Sequence, residues 1–534
     1  MQPTTDDATE ASMQRPHAQR PGRRFALAPL WIAALAFVIR ALPVRNVFID
    51  GQVYFTDSDS YYHLRRIVYN LASFPNTIEH DLYLNFPDGG RAIWPQALDW
   101  MLGVLVSPVY AIAGEQGVER VLVWVPPLVG SLTVYWLYRI AERHVGQAEA
   151  AASALVLSVL SAHFWYSQIG FLDHHVVVAF CATLLFGSAL STVDACDRAT
   201  VERAALVRKA VTLGVLMAWS LLVWPGAILY VALAQVGLLG VLVLSPVLAS
   251  RHRAGAVIGI ANAVALVGVA PFSVGNDWPQ WGPYSAVVLS NFQPWFFFVT
   301  ALLAAVKLQL LSRPAMAGVA ARIAASIAIG GVLVGISLLA LPGLEASVLD
   351  SAQWLGRTDA FQAMVGESMP LFRLHGAFTT QIASSRLSFF IYLFPVVIVA
   401  LAYRFRDHER RALLLTFVAW AVVLFVFTLM QKRFFNTFSV MMALTMGITC
   451  VAAYRGLVAR AAIGERLALY TVLCASLALL APSLWVYKGP AVELVAAAFG
   501  EAPPRNGRID INVKRRAMAS WLRENTPETS GFID

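Results

Sequence analysis

Two short acidic turns interrupt a chain otherwise built from apolar runs: Asp57-Ser58-Asp59 and Asp173-His174-His175. Two carboxylates and an imidazole are a ligand set for a divalent cation, suited to Mn²⁺ and less comfortably to Mg²⁺, with water and phosphate oxygens completing the shell. Asp59, Asp173 and His175 are the candidate metal ligands. Asp173 and His175 stand two apart, so an extended turn lets both reach one ion, while His174 between them points away as a structural residue. Asp57 and His80 are weaker candidates, and His63 reads as a satisfied polar residue. Each turn also has a plainer reading: Asp59 caps a helix, and Asp173 caps the apolar run behind it. What favours chemistry is that both turns fall on one side of a membrane.

That placement follows from composition and charge. The 534 residues are 58% hydrophobic and 13% charged, with a mean hydropathy of +0.63, far more apolar than a soluble protein of this size. A span needs roughly 20 apolar residues. Such runs fall at about 25–42, 120–140, 147–165, 175–193, 210–224, 226–246, 255–272, 294–312, 319–341, 386–403, 412–430, 434–454 and 467–487. These predict an all-α polytopic membrane protein with about thirteen transmembrane helices. The polar residues 1–24 predict a disordered cytoplasmic N-terminus, and no small-residue cleavage site follows the first run. With that end inside, Arg139 and Arg143, Arg203 to Lys209, Arg251 and Arg253, Arg313 and Arg322, Arg404 to Arg411, and Arg455 to Arg466 all face the cytoplasm. The net charge of +8 is thereby assigned to loops flanking spans, and nucleic acid is not called for as a partner.

Two large loops on the opposite face, about 43–119 and 342–385, and a polar tail, 488–534, are too long for simple turns. A half-buried piece is expected near Leu98 to Ala113, and a short tail helix near Lys514 to Glu524. Glu367, an isolated acid in an apolar part of the second loop, is either a surface carboxylate or an acid that folds over the metal site. Lys432-Arg433 are the exception on a face almost free of positive charge. Arg433 either anchors at the interface or neutralises the phosphates of a lipid-linked donor. Cys181, Cys196, Cys450 and Cys474 lie in or beside apolar runs and form no disulfide framework or zinc site.

The ordered set of motifs resembles a known family, the catalytic subunit of oligosaccharyltransferase in its single-subunit bacterial and archaeal form, of the GT-C class of membrane glycosyltransferases. The carriers are residues 57–65 (DSDSYYHLR), Gly170-Phe171-Leu172-Asp173-His174-His175, Asn85-Phe86-Pro87-Asp88-Gly89, and residues 521–527 (WLRENTP). The resemblance implies a GT-C-type fold of thirteen spans with two large external loops. It implies Asp59, Asp173 and His175 as metal ligands and Asp57 as the variable position of its motif. Asp59 and Glu367 would engage the acceptor amide as catalytic residues, and Arg433 would contact the donor's pyrophosphate. The implied reaction moves a glycan from a polyprenyl-phosphate-type lipid to an asparagine side-chain amide of a protein, on the outer face of the cell membrane, with Mn²⁺ or Mg²⁺.

One departure concerns the tail. The family's soluble C-terminal domain carries a W-W-D motif that reads the acceptor, and none occurs in this sequence. Residues 488–534 are too few to bury such a core. The abrupt end favours a piece of a longer protein, inactive alone on peptide, over a reader on another chain or an altered acceptor choice. Competing readings are a GT-C transferase acting on a hydroxyl, a non-catalytic membrane subunit, and a transporter. The last places its ionisable groups near the bilayer midplane on repeated halves, and no repeat is visible here.

Overall fold

The computed structural model describes residues 27–527 apart from 86, 199, 314–315, 317, 357–363, 405–410, 461–462 and 500–506. The N-terminal segment 1–24, Phe86, Arg406 and Arg410 therefore lie outside the described residues. The fold is all-α save for three two-stranded antiparallel hairpins, Phe48–Ile49 with Gln52–Val53, His80–Asp81 with Gly90–Arg91, and Arg373–Leu374 with Ala377–Phe378. All three lie in the two large loops.

Among the described residues, ten helices are long and apolar enough to cross a membrane, or twelve if two bent pairs each count as one span. The expected count of about thirteen is not matched at three places. The first run gives Ala28–Ala41, only 14 residues, because Pro43 follows two residues later and cannot donate to a continued ladder. Val125–His144 carries Arg139, Glu142 and Arg143 in its second half and is not among the candidates. Conversely, Ala97–Leu122 qualifies where only a half-buried piece was expected, although Gly114, at φ 63° and ψ −160°, breaks its helical path. The bent pairs are Gln147–Val159 with Ser161–Ser167, turned by 61°, and Gln381–Leu387 with Phe390–Arg404, turned by 69°.

The helices sort into a centre and a rim. His174–Asp197 is buried along most of its length, and Pro225–Leu244 and Lys432–Ala459 nearly as much, whereas Val319–Ala340 and Glu465–Trp485 are largely exposed. The exposed side chains of Val319–Ala340 include Ile323, Ile327, Val332 and Leu339, as hydrocarbon contact demands. The central helices approach closely where glycine removes a side chain. A Cβ on Gly447 would meet Ser153 Oγ at 2.3 Å, and one on Gly237 would overlap Thr416.

The tail holds two helices, Lys488–Ala498 and Gly507–Asn525, the second longer than anticipated. It docks on the first loop: Arg516 donates to the Val53 carbonyl at 2.6 Å and to Gln52 Oε1 at 3.0 Å, with its guanidinium 5.3 Å from the centre of the Tyr54 ring.

Candidate active site

Each acidic turn begins a helix. Asp57, extended at φ −138°, caps Ser58–Ser73 by accepting from the Asp59 amide at 3.2 Å. Asp57 and not Asp59 is therefore the cap, and Asp59 sits in the first turn, where the positive end of the helix favours an acid. Asp173, at φ −144°, caps His174–Asp197 by accepting from the His174 amide at 2.5 Å. Backbone bonds join the turns: the Thr56 amide donates to the Gly170 carbonyl at 3.0 Å, and the Gly170 amide donates to the Val123 carbonyl at 3.0 Å. Gly170 has φ +82°, and a Cβ there would meet Val47 Cγ2 at 2.8 Å, so only glycine fits without strain.

This join brings one carboxylate oxygen from each of Asp57, Asp59 and Asp173 within 4.8 Å of one another. Like charges so close disfavour full ionisation. Burial, and then Asp59 and Asp173, push the Asp57 carboxyl up to about 6. Burial and then Asp173 also raise Asp59. Three acids sharing excess negative charge fit a divalent cation, which would draw Asp57 and Asp59 toward the ionised form. Asp57, the weaker candidate, thus joins the acid cluster directly. His175 lies beside it, with Nε2 at 3.5 Å from Asp173 Oδ2, but turns toward Glu367 Oε2 at 2.9 Å.

Glu367 joins the second loop to the site. Its other oxygen, Oε1, faces Arg433 Nη2 at 3.4 Å, and the Tyr166 hydroxyl lies 3.5 Å from Oε2. Burial would raise this carboxyl, but His175 and Arg433 hold it down at about 2. The Lys432 amide donates to the Met369 carbonyl at 2.9 Å, so the Arg433 turn and the Glu367 segment are joined through the backbone. Arg433 also donates to the Ser368 hydroxyl and lies over the Trp354 ring at 4.6 Å. A cavity beside it is lined by His175, Trp224, Tyr230, Arg433, Asn436 and Thr437.

One histidine differs from expectation, and His63 is the bonded polar residue expected. His174 does not point away: its Nδ1 lies 2.5 Å from Asp173 Oδ1, and its ring stacks on His175 with centroids 4.5 Å apart. A helical start at His174 replaces the extended turn that would have put alternate side chains on opposite sides. His63 Nδ1 lies 2.7 Å from Asp99 Oδ1 and its Nε2 3.5 Å from Asp173 Oδ1, while Arg66 Nη1 lies 3.0 Å from Asp99 Oδ2. Burial would pull His63 down, but Asp99 and Asp173 hold it up at about 10. Asp173 itself is kept well below the ordinary carboxylate range, since His174 and His175 outweigh the opposing effect of burial. Asp99 and Arg66 were not singled out from sequence. The available signal was Asp99 on the otherwise apolar buried face of Ala97–Leu122; Arg66 had none, since the buried face of Ser58–Ser73 also carries Ser60, His63 and Asn70. His80 is exposed in the hairpin opposite Arg91 and is not among the grouped acids and imidazoles.

Residues 30–454 match the family model for the N-terminal part of the oligosaccharyl transferase STT3. The chain belongs to that family. A dolichyl-phosphooligosaccharide-protein glycotransferase 3 of Archaeoglobus fulgidus is 22% identical over 531 residues, covering 94% of this chain and 58% of the relative. The fold is similar to that of the archaeal oligosaccharyltransferase AglB from Archaeoglobus fulgidus, solved with an inhibitory peptide and a dolichol-phosphate, with TM-score 0.78, 20% identity, and coverage of 95% of this chain and 58% of that one. It is likewise similar to a structure of the Archaeoglobus fulgidus oligosaccharyltransferase tethered to an acceptor peptide containing the NVT sequon, with TM-score 0.75, 19% identity, and coverage of 95% and 58%. At these identities the structures establish the fold. The chain spans a little over half the length of the relatives that align along most of it. STT3-family membership and the apolar helices make this an integral membrane protein.

Proposed function

We propose that this chain carries the transfer site of a metal-dependent oligosaccharyltransferase, which moves a glycan from a polyprenyl-phosphate-linked donor to an asparagine side-chain amide of a protein at the outer face of the membrane. The observation that carries the reading is the meeting of Asp57, Asp59 and Asp173 with an ionised Glu367 held between His175 and Arg433. The relatives' dolichyl-phosphate donor and asparagine-containing acceptor peptide support it.

An amide nitrogen is a weak nucleophile because its lone pair is shared with the carbonyl. In this reading the Asp59 and Glu367 carboxylates, as acceptors only, take hydrogen bonds from the two amide N–H groups and weaken that conjugation. Glu367 is suited to this because its neighbours keep it ionised. Asp57, Asp59, Asp173 and His175 would hold a divalent cation such as Mn²⁺ or Mg²⁺, which stabilises negative charge on the departing phosphate. Arg433 would neutralise the same phosphate, its guanidinium pre-oriented by Ser368 and Trp354.

The test is to supply membranes from cells expressing the native gene with a polyprenyl-linked glycan, Mn²⁺ and an Asn-X-Thr peptide, and to weigh the peptide. The reading expects a glycan mass on the asparagine that vanishes with chelator. Transfer only to a serine or threonine hydroxyl would contradict it.

A further inference from the structure

A buried polar chain with no part in the chemistry above ties the two halves of the site together. Asn436 is buried in the first turn of Phe435–Arg460, three residues after Arg433. Its Nδ2 donates to the backbone carbonyl of His175 at 2.9 Å, and its Oδ1 lies 2.7 Å from His163 Nδ1. An amide oxygen only accepts, so the imidazole carries its hydrogen on Nδ1, and this fixes which way the Asn436 amide faces. His163 is fully buried on Ser161–Ser167, the short limb of a bent span. Its own carbonyl accepts from Ser167 Oγ at 2.6 Å, and that hydroxyl accepts from Arg40 Nε at 2.9 Å.

We infer that Asn436 and His163 are positioning residues that set the separation between His175, beside the acid cluster, and Arg433, the proposed donor-phosphate contact. Glu367, which in the proposed reaction also serves the acceptor, lies 2.9 Å from His175 and 3.4 Å from Arg433. A clamp made without Glu367 holds the pair in register while that carboxylate is engaged elsewhere. A buried amide satisfied at both ends is rigid, and each half alone would be costly to leave unpaired.

This inference rests on the functional reading above, and its test reads cation binding separately from turnover. Asparagine places its Nδ2 where histidine carries Nδ1, so His163→Asn keeps the donor, whereas His163→Leu and Asn436→Leu remove the link. Mn²⁺ affinity of the purified full chain in detergent, followed by electron paramagnetic resonance, and glycan transfer are measured for each. Both leucine variants are expected to lose affinity by about tenfold, the lower end for partners that orient a metal ligand, and to lower kcat, with His163→Asn close to the parent. The double leucine variant should be no worse than Asn436→Leu, since the two act as one chain. Equal loss in His163→Asn and His163→Leu would reduce the role to packing and overturn the clamp, as would unchanged affinity in both leucine variants. If Asn436→Leu fails to fold, the His163 pair alone decides. A parent that binds no Mn²⁺ would instead defeat the metal reading itself.

Discussion

In the proposed cation site, Asp57 is where proton and metal would compete most directly. Its carboxyl is raised from the ordinary aspartate range to about 6 by burial and by Asp59 and Asp173. A raised folded-state value means the cation-free fold holds a proton that the unfolded chain has released between roughly pH 4 and 6. Cation-free protein should therefore gain stability as the pH falls from 7 toward 5. Mn²⁺ affinity should fall over the same interval, by about tenfold per pH unit below 6 if one proton is displaced. Calorimetric titrations across this range check both signs, and Asp57→Asn should flatten the dependence. Glu367 behaves oppositely. Held at about 2 by His175 and Arg433, it stays ionised at any working pH, so its contribution is charge and acceptance rather than proton transfer. Glu367→Gln should lower kcat by about a hundredfold, the scale for one group stabilising a transition state, with Mn²⁺ still bound, its affinity weakened about tenfold through the lost bond to His175. A loss of cation binding in that variant would place Glu367 among the ligands instead.

At the scale of elements, the site depends on one backbone hydrogen bond and one glycine. Gly170 occupies φ +82°, and a Cβ would press on Val47 Cγ2. Gly170→Ala should cost about 2 kcal/mol, within the range for a side chain forced into that region. Because Thr56 bonds to its carbonyl, the variant should also separate the two acidic turns. Ligand binding raises the melting temperature by mass action, so Mn²⁺ should stabilise the parent more than Gly170→Ala, as thermal unfolding with and without Mn²⁺ will show. The acidic turns were legible in the sequence because acids flanked by apolar runs stand out locally. Asp99 was not, since its partner His63 lies 36 positions away and only the packing of Ala97–Leu122 against Ser58–Ser73 joins them. Glu367 could not be chosen over Glu345 or Asp350 from residue type alone. The resemblance pointed to it, and its bonds to His175 and Arg433 depend on the second loop folding onto the bundle.

For the whole molecule, apolar run length was a good guide to where helices form and a poorer guide to how many qualify as spans. Hydropathy does not register bends such as that near Ser388, whose φ of 64° separates Gln381–Leu387 from Phe390–Arg404. Nor does it show that a run ended by Pro43 is too short. Charge placement gives the orientation proposed here: cysteines introduced at Ser58 and Glu367 should react with an impermeant thiol reagent from outside intact cells, and one at Arg253 should not. Labelling of position 58 and position 367 from opposite sides would break the site apart. In the proposed site, turns from distant parts of the chain would hold a single divalent cation between them. The most direct measurement is the number of Mn²⁺ ions bound by the purified protein, with Asp59→Ala and Asp173→Ala beside it. One ion per chain, lost in each variant while the fold is retained, is the predicted result; one ion still bound with unchanged affinity in both variants would contradict the account.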